Sequence, residues 1–66
     1  MTQLQIEIYE ELIRQGMDEK DAKFLPITLE TKEQQKAMMN YLVEIREQEV
    51  SKSQVIKMAL ILRGKM

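Results

Sequence analysis

Cysteine and histidine are both missing from this 66-residue chain, and proline occurs once and glycine twice. Without Cys there is no disulfide framework, and that fits a cytoplasmic setting. Without Cys and His, the usual zinc and haem ligands are gone, and so are the commonest acid–base and nucleophilic groups. The expectation is a non-enzyme with no metal and no cofactor. Gly16 and Gly64 stand alone, so no Gly-rich phosphate loop exists. No apolar run approaches the ~20 residues that span a bilayer, so no membrane association is expected. The opening Met1-Thr2-Gln3-Leu4-Gln5 lacks the basic region and apolar core of a signal peptide.

What is present favours helix. The chain is 44% hydrophobic and 32% charged, a composition of folded rather than disordered proteins. Leu4, Ile8 and Leu12 recur at i, i+4 and i+8, with Tyr9 and Ile13 widening the stripe. A helix over residues 2–15 follows, with Glu7, Glu10 and Glu11 placed off the stripe. Gly16 is positioned to stop it, and Asp18 to cap a short helix to about Phe24. Pro26 is expected to end that helix, because the residue before a proline disfavours the α region. Leu25, Ile27 and Leu29 then alternate with Pro26, Thr28 and Glu30 as in an edge strand. Thr31 and Gln34 have capping-box spacing, and Ala37, Met38, Tyr41, Leu42 and Ile45 form a helical stripe to about Gln48. Ser51 and Gln54 repeat the capping-box spacing, so a further helix is expected after a break near Glu49-Val50. Met38, Met39 and Met58 lie near these stripes and read as core filling in preference to a pliable binding surface.

Charge is divided unevenly. Residues 1–33 carry four basic and eight acidic side chains, and residues 34–66 carry six basic and three acidic ones. That split suits a polyanionic partner for the C-terminal half, or self-association of acidic half against basic half. The C-terminal helix is apolar on most of its circumference, more than so small a monomer can cover, which points to partner burial. Ser51-Lys52-Ser53, at a helix start, would offer backbone N–H groups, hydroxyls and an ammonium to a phosphate.

The order of Leu25-Pro26-Ile27-Thr28-Leu29, a long helix, then Ser51-Lys52-Ser53-Gln54-Val55-Ile56-Lys57-Met58-Ala59-Leu60 resembles the ribbon-helix-helix family over about Phe24 to Arg63. The resemblance implies a single domain, mainly α, that forms a two-fold homodimer. Residues 24–66 would be the ribbon-helix-helix core and residues 1–23 a helical hairpin extension. A two-stranded ribbon would enter the DNA major groove, with Phe24, Pro26 and Thr28 facing bases. Ser51, Lys52 and Ser53 would anchor backbone phosphate. Ile27, Leu29, Tyr41, Leu42, Ile45, Val55, Ile56, Ala59 and Leu60 would form the dimer or partner interface. The implied function is transcriptional regulation. The alternative is an all-α bundle acting as a protein-interaction module, an adaptor or inhibitor that docks its apolar C-terminal helix on a partner protein.

Overall fold

A computed structural model describes residues 1–48 and 51–64. Four α-helices run through them: α1 (Gln3–Arg14), α2 (Glu19–Thr28), α3 (Lys32–Glu44) and α4 (Lys52–Arg63). A short 3-10 turn, Ile45–Glu47, extends α3. No strand occurs among the described residues, so the ribbon-helix-helix architecture is corrected to the all-α alternative. The expected helix break at Glu49-Val50 lies outside the described residues.

Residues 25–29 carry that correction. Residues 25–28 are the end of α2 and not a strand, Leu29 is its C-cap, and Pro26 lies inside the helix. An internal proline deletes an N–H and costs about 3 kcal/mol in an open helix. Here the helix is held by what its inner face buries. Ala22, Leu25, Pro26 and Leu29 stand at i, i+3, i+4 and i+7, and all four are buried. Each large apolar side chain taken from water contributes about 1.5–3 kcal/mol, so the set outweighs the proline. The hydroxyl of Thr28 donates to the Leu25 carbonyl at 2.7 Å and secures the last turn. Leu25 and Leu29 of the strand-like alternation therefore belong to a helical stripe in which proline acts as an apolar side chain, and Ile27 lies outside it.

The helices expected from the other signals form, although Asp18, at the N-cap of α2, makes no side-chain cap hydrogen bond. Thr2 caps α1 in a reciprocal box with Gln5, and Thr31 caps α3 in the same way with Gln34. Gly16, at φ +92°, takes the left-handed position after α1. Its N–H donates to Ile13 and that of Met17 to Leu12, closing a Schellman motif. The Ser51 box does not form. Ser51 Oγ lies 2.9 Å from Ser53 Oγ, and Ser51 makes no side-chain cap to the backbone.

The core is drawn from every helix: Ile8 and Leu12, Ala22 and Leu25, Met38 and Leu42, then Val55, Ala59 and Leu62. Met17, Leu29 and Ile45 complete it. Met38 is fully buried, and Met39 and Met58 pack partly against this core.

Three glutamines fix the direction of the helices. The Gln5 amide donates to the carbonyls of Pro26 and Leu29, at 3.0 and 3.3 Å. The Gln35 amide donates to Leu29 at 2.8 Å, and that of Gln34 to Leu62 at 3.1 Å. The starts of α1 and α3 thus meet the ends of α2 and α4, where the regular helical hydrogen bonding runs out. It follows that α1 and α3 run one way and α2 and α4 the other.

Candidate functional site

Two seams between neighbouring helices differ in how they are finished. In the first, α1 meets α3. Glu11 faces inward and is only 2% exposed. Arg46 grips it from the turn after α3, with Nη2 at 2.7 Å from Oε1 and Nε at 3.1 Å from Oε2. Gln15 donates to the same carboxylate at 2.9 Å and to the Leu42 carbonyl at 3.0 Å. Arg14 adds a contact at 3.2 Å. The Arg46 hydrogen bonds hold the Glu11 carboxyl below its ordinary value, against burial, with help from Gln15 and the two arginine charges. Glu11 was expected off the buried stripe. It lies three residues after Ile8 and four before Gln15, on the inward face, and that spacing was the available signal.

In the second seam, α2 meets α4, and an open groove of about 140 Å³ separates their outer edges. Leu25 and Ala59 form its floor, and Phe24, Thr28, Ile56 and Leu60 its walls. Asp21 and Arg63 also line it. Phe24 is 63% exposed, Ile27 55% and Leu60 50%, and Ile61 lies in the open beside Leu60. Phe24 and Ile27 are separated by i, i+3, and Ile56 and Leu60 by i, i+4, so each pair shares one helix face.

The residues expected to touch DNA are scattered by this fold. Phe24 is on the surface, Pro26 is buried, and Thr28 is half-buried with its hydroxyl turned to its own helix. No common face presents all three, because their separation by two residues aligns side chains in a strand and not in a helix. Ser51 and Ser53 are exposed and pair with each other. Lys52 is engaged at 2.6 Å by Asp21 of α2. That hydrogen bond to Asp21 raises the lysine's ordinary value further.

The expected interface residues also divide. Leu29, Leu42, Ile45, Val55 and Ala59 belong to the chain's own core. Tyr41 and Ile56 are half-buried, and Ile27 and Leu60 are exposed. The pairing of Glu11 with Arg46 and the three glutamines were not anticipated, nor was Arg63 beside an apolar groove.

A second recess of about 190 Å³ is lined by Leu12, Gln15, Gly16, Met17, Lys52 and Val55. Its one charged group is the lysine already held by Asp21. Among the described residues no cluster of metal-binding side chains converges, and no helix is long and apolar enough to cross a membrane. No protein-family model, curated protein or solved structure matches the chain.

Proposed function

We propose that this protein is a small helical interaction module whose binding face is the α2/α4 groove. One observation carries the reading: Phe24 and Leu60, both large and apolar and at least half exposed, face one groove whose floor is already packed. Isolated apolar side chains on a surface need no explanation, but a contiguous group does. Aromatic and leucine side chains at the rim of a groove are the anchors that partner proteins bury. In α4 the inner residues Val55, Ala59 and Leu62 serve the core, and Leu60 and Ile61 are left over. The remaining apolar circumference is what a partner would cover.

The test is site-specific photo-crosslinking in the cells that make the protein. A benzophenone side chain is installed at Leu60, at Phe24, or at Val43, which is exposed on α3. Discrete adducts from positions 60 and 24, without the same adducts from position 43, are expected. Equal adducts from all three positions, or none from 60 and 24, would reject the groove as the binding face.

A further inference from the structure

We infer that the partner segment is an amphipathic helix with acidic flanks, an inference that rests on the α2/α4 groove being the binding face. Two features of the groove select this occupant.

The first is shape. No sheet edge exists among the described residues to accept an added strand, so strand addition is unavailable here. The groove lies between two helices of 10 and 12 residues, each about 15–18 Å long at the standard rise of 1.5 Å per residue. A helix of about three turns matches that length, with anchors at i, i+4 and i+7 meeting Phe24, Leu60 and the floor between them.

The second is charge. Helix α2 carries Lys20 and Lys23 with Glu19 and Asp21. Helix α4 carries Lys52, Lys57 and Arg63 with no acid at all. Both acids are engaged, Glu19 by Lys23 at 3.3 Å and Asp21 by Lys52 at 2.6 Å. Lys20, Lys57 and Arg63 have no carboxylate partner among the described residues. Arg63 lines the groove itself, and Lys57 is one residue from Ile56 and three from Leu60. Asp18, the residue before α2, lies at the opposite end, toward Lys52. An apolar groove edged by uncompensated cations attracts an acidic helix and repels a basic one.

The experiment is calorimetric titration of the full chain with three synthetic peptides. Each carries the same leucine stripe on a helix of about 16 residues and differs only in its flanks: glutamate, glutamine or lysine. The acidic peptide should bind about tenfold or more tightly than the lysine peptide at low salt, with the glutamine peptide between. The advantage should shrink as salt screens it. The double variant Lys57→Glu and Arg63→Glu should reverse the order. Leu60→Asp should remove binding of all three, with circular dichroism showing the helices retained. Equal binding of the three peptides overturns the acidic helix and leaves the groove standing. No binding of any peptide overturns both. A complex of twice the chain mass, abolished by Leu60→Asp, would replace the acidic partner with a second copy.

Discussion

The α1/α3 seam and the α2/α4 seam are made from similar helices and finished in opposite ways. At α1/α3 a buried carboxylate receives hydrogen bonds from Arg46, Gln15 and Arg14, and Leu42 fills the space beneath. At α2/α4 one ion pair, Lys52 with Asp21, closes one end, and the rest is left as an apolar groove. A chain of this size has little core to spare. Its polar side chains tie the helices together at their ends and along α1/α3, and the outer edge of α4 is left uncovered. The contrast separates residues that hold the fold from residues available to a partner.

Truncating the core should show the largest effect. Leu42→Ala removes a fully buried side chain and should cost about 3 kcal/mol, read from urea unfolding. Leu60→Asp, at the open seam, should change stability by about 1 kcal/mol or less. Equal losses at the two positions would erase the distinction between sealed and open seams.

The Glu11 cluster should then dominate the acid response. Its carboxyl lies below its ordinary value in the fold, so the unfolded chain takes up a proton first as pH falls. The stabilisation is therefore full above the ordinary carboxylate value and fades as pH drops through the folded one. Arg46→Met should lower stability at neutral pH and weaken this acid-side loss, because burial then raises the Glu11 carboxyl with only Gln15 and Arg14 left to oppose it. Urea midpoints between pH 3 and pH 7 measure it. An unchanged slope in the variant would mean that Arg46 does not control Glu11.

A smaller effect is expected at the glutamine clamps. Gln35→Ala takes one donor from the Leu29 carbonyl, while Gln5 still reaches it. The cost should be about 1 kcal/mol. Amide exchange should accelerate in the last turn of α2 and remain slow in α1. Uniform acceleration would indicate that the clamp supports the whole bundle.

Helix existence was largely legible, because capping and hydrophobic spacing act locally. Thr31 with Gln34, and Gly16, each do what their chemistry predicts. Two readings differ from the structure where long-range packing decides, and a third where a local hydroxyl pair does. Pro26 was weighed as a helix breaker, and its burial with Leu25 and Leu29 overrode its missing N–H. Glu11 reads as lying off the apolar stripe, but its spacing from Ile8 places it inside, where Arg46, 35 residues away, compensates it. Ser51 satisfied a capping pattern that the neighbouring Ser53 hydroxyl diverts. The candidate site was only partly legible. The excess of apolar surface on α4 was visible, but the fold was needed to show that Phe24 of α2 faces it across the groove. Expecting a strand at residues 25–29 hid that face.

The most direct measurement is an NMR titration of the isotope-labelled chain with the glutamate-flanked peptide, followed at the backbone amides. The account predicts shifts concentrated at Phe24, Ile27, Thr28, Ile56, Leu60 and Arg63, with Glu11, Leu42 and Arg46 unmoved. Shifts centred on the α1/α3 seam, or spread evenly over all four helices, would contradict it.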